Sequence, residues 1–197
     1  MVERQIRRRG ITDPRILAAM EEVPRHRFVD DRLQDRAYDD GPLPIGEGQT
    51  ISQPYIVARM AELAEIDPDD RVLDVGTGSG YAAAVYSRLA RQVTSIEIRP
   101  ELAETARARL ADLGYDNVTV ITGGLEAVAD SPPFDAILAA AAAPRVPPAL
   151  EELLAEGGRL VMPVGSSFQQ HLWTVRRRGT ELERRRHEAV AFVPLVV

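Results

Sequence analysis

One stretch constrains this chain more than any other: Arg71-Val72-Leu73-Asp74-Val75-Gly76-Thr77-Gly78-Ser79-Gly80. A short apolar run ends in an acid, breaks into alternating glycines, and continues as Tyr81-Ala82-Ala83-Ala84-Val85-Tyr86, a good helix former. The pattern predicts a strand, a tight turn and a helix start. Glycines at such a turn let the backbone approach a nucleotide-like ligand with no Cβ in between. Val93-Thr94-Ser95-Ile96-Glu97 predicts a second strand. It ends in an acid about twenty residues beyond the turn, where a carboxylate usually holds ribose hydroxyls. Together the two signals point to a cofactor built on adenosine.

The rest of the chain supplies a frame for that turn. Residues 1 to about 70 read as helices and loops. Asp13-Pro14 is a helix start, Ile16, Leu17, Met20 and Val23 give an apolar face, and Pro24 is a stop. A loop rich in Asp, Gly and Pro is expected from Asp39 to Gln53, then a helix with Ile56, Val57, Met60, Leu63 and Ala64 at helical spacing. From Arg71 strands and helices alternate. Strands are expected at 71–75, 92–97, 118–122, 134–139 and 159–164, and helices at 80–90, 100–113 and near 147–155, with Gly114 closing the second helix. Such alternation means a doubly wound α/β fold with a mostly parallel sheet. His171–Arg178 and Glu188–Val196, around Gly179-Thr180, predict an antiparallel C-terminal edge. A length of 197 residues suits a single domain. It divides into an N-terminal segment (1–70), a cofactor-binding core (71–165) and C-terminal strands (166–197).

Composition removes several classes of function. The net charge of -6 argues against nucleic acid as a partner. Every basic residue is Arg, so no phosphate-binding lysine motif exists. The chain has no Cys, hence no disulfide, thiolate zinc site or cysteine nucleophile. His26, His171 and His187 are scattered without metal-ligand spacing. The charged start Met1–Gln5 does not read as a signal peptide, and no apolar run is long enough to span a bilayer. The expectation is a cytoplasmic monomer without a membrane partner.

A nicotinamide or flavin fingerprint would place a small residue where Tyr81 stands. Asp74-x-Gly76-x-Gly78-x-Gly80 followed by Glu97 instead resembles the first two motifs of Rossmann-like methyltransferases that use S-adenosylmethionine and release S-adenosylhomocysteine. The resemblance implies that the turn (Gly76, Thr77, Gly78, Gly80) passes under the methionine and ribose part, and that Glu97, with Ile98 beside it, takes the ribose hydroxyls.

Ser52, ahead of the next helix with Pro54 in its first turn, reads as an N-cap. A helix start favours an anion, so the serine is either a plain cap or a donor to a bound carboxylate. Here a closer resemblance enters. Gly48-Gln49-Thr50-Ile51-Ser52-Gln53-Pro54 is similar to the signature loop of protein-L-isoaspartate O-methyltransferases. Arg8-Gly10-Ile11 with Val23-Pro24-Arg25-His26, Pro133–Ile137, Ala141-Ala142-Ala143-Pro144, Gly157–Val161, Pro163-Val164-Gly165 and Phe192-Val193-Pro194-Leu195 match in the same order. The resemblance implies methyl transfer to the displaced α-carboxylate of isoaspartyl residues in peptides and proteins, a repair reaction. It makes Ser52 the active-site serine and puts Thr50 and Ile51 near the cofactor.

Two positions depart from the family. After the third core strand it usually reads Gly-Asp-Gly, with the Asp expected on the adenine amino group; this chain reads Gly123-Gly124-Leu125. Glu126 is the carboxylate that a local shift would bring there. Ala140 stands where the family often carries a hydroxyl residue near the substrate. Two alternatives follow from these departures: a related carboxyl methyltransferase acting on a particular Asp, and a non-catalytic relative with weakened cofactor binding.

Overall fold

Asp13 caps the first helix, α1 (Pro14–Glu22), its carboxylate accepting the Arg15 N–H at 2.8 Å. Ile16, Leu17, Ala19 and Met20 form its buried face. The second helix, α2 (Pro54–Ala64), buries Val57, Ala58, Met60, Ala61 and Ala64. In the computed structural model residues 1–166 and 168–196 are described. Between the two helices the expected loop is a hairpin, β1 (Leu43–Gly46) with β2 (Gln49–Ile51), paired Leu43↔Ile51 and Pro44↔Thr50. Glu47 and Gly48 carry positive φ values of 51° and 67°. That is the geometry of a tight two-residue turn whose twist suits its strands. Proline and glycine disguise the hairpin because a two-stranded ribbon tolerates proline at its free edge.

From Arg71 the alternation is realised. In chain order the elements are β3 (Arg71–Val75), α3 (Tyr81–Ser87), β4 (Gln92–Glu97), α4 (Pro100–Asp112), β5 (Val118–Thr122), β6 (Phe134–Ala139), α5 (Pro148–Glu152), β7 (Leu154–Ser166), β8 (Gln169–Arg178) and β9 (Glu181–Val190). The sheet order is β5-β4-β3-β6-β7-β8-β9. Pairing is parallel from β5 through β7 and antiparallel from β7 to β9. Strand order changes direction between β3 and β6, and ligands bind at the carboxyl ends of strands flanking such a point.

Both faces of the central strands are buried. Val72, Leu138 and Val161 face the cluster formed with α1, α2 and α3, while Leu73, Ile137 and Leu160 face the cluster around Leu150. Successive side chains point to opposite faces, so these strands read as continuous apolar runs.

Two boundaries differ from expectation. The last strand is Glu181–Val190, not 188–196, because Arg178 pairs with Glu181 across a short turn that fixes the register. Residues beyond it run over the ends of the sheet, where Val193 O accepts the Ala142 N–H at 2.8 Å. The helix expected near 147–155 stops at Glu152, and β7 begins at Leu154 with an irregularity between the pairs Phe134↔Leu154 and Ala136↔Arg159. Gly158 sits in that irregularity, where a Cβ would lie 2.8 Å from the Ala155 carbonyl oxygen. No helix among the described residues is long and apolar enough to cross a membrane.

Ile137 is fully buried in the middle of the sheet. Ile137→Ala is expected to cost about 2–5 kcal/mol through lost transfer energy and a residual cavity, read as a lower urea midpoint at unchanged m.

Candidate functional site

The glycine turn is fixed from below by the neighbouring strand. The Gly76 and Thr77 N–H groups both donate to the Ile96 carbonyl, at 2.9 and 3.1 Å. Gly78 has φ 53°, and a Cβ there would come 3.1 Å from the Ile45 Cδ1 of the β1–β2 hairpin. Glycine suits both the left-handed backbone and this close roof. Glu97, at the end of β4, accepts the Gly78 N–H at 2.8 Å through Oε2 and the Arg99 N–H at 3.1 Å through Oε1. The acid and the glycine turn expected from the sequence therefore touch. Each carboxylate oxygen keeps a lone pair for a further donor.

Above this floor lies a crevice of about 340 Å³. Its walls are Gly48–Thr50 of the hairpin, Gly76 and Gly78 of the turn, Ile96–Arg99, Gly123–Leu125, Ala140 and Ala141 after β6, and Val193–Val196 of the C-terminal tail. It crosses the carboxyl ends of β3, β4, β5 and β6. The tail is held as a wall by the Leu195 N–H, which donates to Ala142 O at 2.8 Å. The turn offers a floor without side chains, its Gly76, Thr77 and Gly78 N–H groups already paired within the protein, Glu97 offers a carboxylate acceptor, and Ile98, Leu125 and Val193 offer apolar surface. That arrangement fits an elongated ligand with hydroxyls at its middle and a flat apolar end. Among the described residues no group of His, Asp and Glu is arranged to hold a metal ion.

A second cleft, of about 790 Å³, adjoins the first. Thr50, Ala140 and Val193 line both. Ser52 lines the second cleft and makes no hydrogen bond to protein among the described residues. It is not the helix cap: Gln53 is, without a side-chain bond to the helix, and the Gln53 amide instead donates to Asp40 at 2.6 Å. The expectation of Ser52 as an N-cap is corrected by one residue, because Pro54 takes the first helical position. The serine hydroxyl is thereby left free at the cleft surface. Arg9, lying 3.6 Å over the Tyr55 ring, and Glu188 also line this cleft. Burial alone would push Glu188 up, but hydrogen bonds from Arg59, the nearer at 2.7 Å, hold its carboxyl below the usual range.

The remaining sequence candidates stand behind these walls. Ile51 is buried in the core at the end of β2. Gly80 begins α3 and packs on α4, where a Cβ would meet Leu110 at 3.2 Å. Asp74 and Thr77 are both buried and joined through Ser95. The Ser95 hydroxyl donates to Asp74 at 2.7 Å and lies 2.6 Å from the Thr77 hydroxyl. Burial pushes the Asp74 carboxyl up to about 7; the Ser95 bond opposes this and the nearby Glu97 charge adds to it. Thr50, Gly76, Gly78, Glu97, Ile98 and Gly124 do line the crevice. Sequence reasoning about the site omitted Gln49, Arg99, Ala141 and the tail residues. The signals were present in the low-complexity run Ala139–Ala143 and in Phe192-Val193-Pro194-Leu195, but neither contains a chemically reactive side chain.

Comparison with known proteins follows the same lines. The family described as protein-L-isoaspartate(D-aspartate) O-methyltransferase (PCMT) matches residues 1–197. A protein-L-isoaspartate O-methyltransferase of Koribacter versatilis is 55% identical over 100% of this chain and 89% of its own length. One from Methanoregula boonei is 52% identical over 100% of this chain and 91% of its own. A Plasmodium falciparum structure described as this methyltransferase, in complex with S-adenosyl-L-homocysteine, superposes with a TM-score of 0.86 at 27% identity, covering 99% of this chain and 96% of the other.

The buried Asp74 carboxyl gives a pH signature. Its value near 7 stands above the ordinary 3.8 of an unfolded chain. Below the unfolded value both states hold the proton. As pH rises from about 4 to 7 the unfolded chain releases it first, and stability is lost, by about 4 kcal/mol at most. Asp74→Asn has no proton to release. The stability difference between the unaltered protein and this variant should therefore fall across that window and level off above it, as measured by urea unfolding at a series of pH values. A difference that does not change with pH rules the account out.

Proposed function

The chain belongs to the protein-L-isoaspartate(D-aspartate) O-methyltransferase family, and from that membership we infer that the two adjoining clefts hold the methyl donor and the methyl acceptor of one reaction. The protein transfers a methyl group from S-adenosylmethionine to the free carboxylate of L-isoaspartyl residues in damaged peptides and proteins, a protein-repair reaction. The observation that carries the assignment of clefts is their common wall: Thr50, Ala140 and Val193 face both.

In this reading the glycine turn and Glu97 hold the sulfonium nucleoside, with Gly76 and Gly78 beneath it and Glu97 accepting from its ribose hydroxyls. Ile98 and Gly124 lie toward the base. Asp74, Thr77, Gly80 and Ile51 act from behind, as the support that keeps the turn in place. When bound, the cofactor supplies an electrophilic methyl group on a positively charged sulfur. The nucleophile is the acceptor's own carboxylate, ionised at neutral pH. No general base is required, and among the described residues that line the two clefts there is no His or Lys. The task left to the protein is to bring two groups into line and keep them there. Ser52 donates a hydrogen bond to the carboxylate and fixes one oxygen. A single neutral donor orients the nucleophile without overstabilising it relative to the transition state. Thr50, two residues away, faces both clefts, so the hairpin that roofs the cofactor also orders the acceptor side. The methyl ester then cyclises to a succinimide without the protein's help, the following backbone nitrogen attacking the ester carbonyl and methanol leaving.

We take the chain to act as a single domain and as a monomer. The cytoplasm remains the expected compartment, and the charge of -6 speaks against a nucleic-acid partner.

Methyl incorporation into an isoaspartyl peptide, its aspartyl counterpart serving as control, tests the reading. Strong preference for the isoaspartyl peptide is expected; preference for ordinary aspartate would sink it. Ser52→Ala should lower kcat/KM by about ten- to a hundredfold, the loss of one hydrogen bond to a charged group, with S-adenosylhomocysteine affinity unchanged. An unchanged rate in that variant removes Ser52 from the mechanism.

A further inference from the structure

The far end of the cofactor crevice, beyond Glu97, is formed by Gly123, Gly124 and Leu125 at the end of β5. It adjoins the acid directly, since the Gly123 N–H donates to the Glu97 carbonyl at 2.8 Å. Two large apolar side chains line the crevice here, Leu125 and Ile98, the latter 45% exposed. Apolar surface of this kind suits a flat heteroaromatic ring. The edge of such a ring carries hydrogen-bonding groups that need partners, and position 124 has no side chain to offer.

The partner arrives from two residues further on. Glu126 folds back, and its Oε1 accepts the Gly124 N–H at 2.8 Å. Its Oε2 lies 2.5 Å from the point where a Cβ on Gly124 would stand. The carboxylate thus fills the space from which a side chain at 124 would start. Oε2 makes no hydrogen bond among the described residues. We propose that Glu126 is the specificity-determining acceptor of this crevice, its carboxylate receiving the exocyclic amino group of the adenine ring. The inference rests on the methyltransferase reading of the same crevice.

The chemistry of the group fits the role. The bond from the Gly124 N–H holds the Glu126 carboxyl below the usual carboxylate range, so it is ionised at neutral pH. An ionised carboxylate can only accept. It therefore favours an amino group and repels a carbonyl oxygen at the same place. A side chain at position 124 would displace the folded-back acid, so the glycine leaves it room to sit there.

Equilibrium binding of two nucleosides separates this role from a local turn contact. S-adenosylhomocysteine presents an amino group at the base edge, and its deaminated analogue S-inosylhomocysteine presents a carbonyl oxygen. The unaltered protein should prefer the first by about thirtyfold or more, since a site built for a donor rejects the analogue lacking it. In Glu126→Gln the amide pairs with either group, and the preference should shrink to about threefold or less. Glu126→Asp, one methylene too short to reach, should also lose the preference. Glu126 is exposed, and equal melting temperatures would show that each variant folds. Retained preference in both variants, or an equal drop for both nucleosides, overturns the proposal while leaving the methyltransferase reading in place. So does a lack of preference in the unaltered protein. Failure of the unaltered protein to bind either nucleoside overturns both.

Discussion

The hydrogen bond from the Gly78 N–H to the Glu97 carboxylate joins the two halves of the cofactor floor. Strands β3 and β4 run in register, Val75 opposite Ile96, so the sheet itself brings the turn after one strand beside the last residue of the next. The bond then fixes the acid against the glycines at 2.8 Å. Other parts of the site are referenced to this pair. Ile45 of the hairpin rests on Gly78, Arg99 reaches Glu47 at the hairpin tip across 3.6 Å, and Gly123 donates to the Glu97 backbone. A carboxylate oriented by backbone groups on both oxygens costs little further ordering when a ligand arrives, which is the energetic sense of preorganisation.

Beneath the turn the protein buries polar groups that propensity alone would not place there. Asp74, Ser95 and Thr77 form a linear chain of hydrogen bonds in the core, with Ser95 at its centre. Arg25 is buried beside the next helix. Its Nε donates to Ala37 O at 2.7 Å, and its guanidinium lies 4.7 Å from the centroid of the Tyr81 ring. Burial pulls its pKa down, and among the described residues the two terminal nitrogens have no hydrogen-bond partner. These contacts link the segment leading to the hairpin with the helix that follows the glycines. Roof and floor of the crevice are thereby set by one framework.

The sheet was legible in the sequence because its signal is local. Gly76, Gly78, Gly80 and Glu97 sit in a strand–turn–helix–strand pattern that needs no knowledge of the rest of the chain, and the central strands read as apolar runs. The hairpin was not legible: Leu43-Pro44-Ile45-Gly46 looks like a loop until Gln49–Ile51 pairs with it. The extent of the last strand was misjudged for a related reason. Its central residues, Glu183 to His187, are almost all charged and carry no apolar alternation, while the apolar run 189–196 that resembles a strand is used mainly as a tail. Val193 and Pro194 become walls of the crevice only through long-range pairing with Ala142, which no window of sequence contains. Ser52 shows the remaining limit. Its residue type and place before a helix were readable, but whether its hydroxyl caps that helix or faces a cleft depended on a shift of one residue.

The two margins of the sheet are finished in different ways. On one side Arg107 of α4 donates to the Val120 carbonyl of β5 at 3.2 Å, occupying an acceptor that an incoming chain would need. On the other, β9 presents Glu183, Arg184, Arg185 and Arg186 in succession along its outer course. Charges in such positions oppose the addition of a further strand. Since the molecules this family acts on are themselves polypeptides, an open ladder of amides would be a second place for them to pair. Guarded borders leave the cleft as the place of contact.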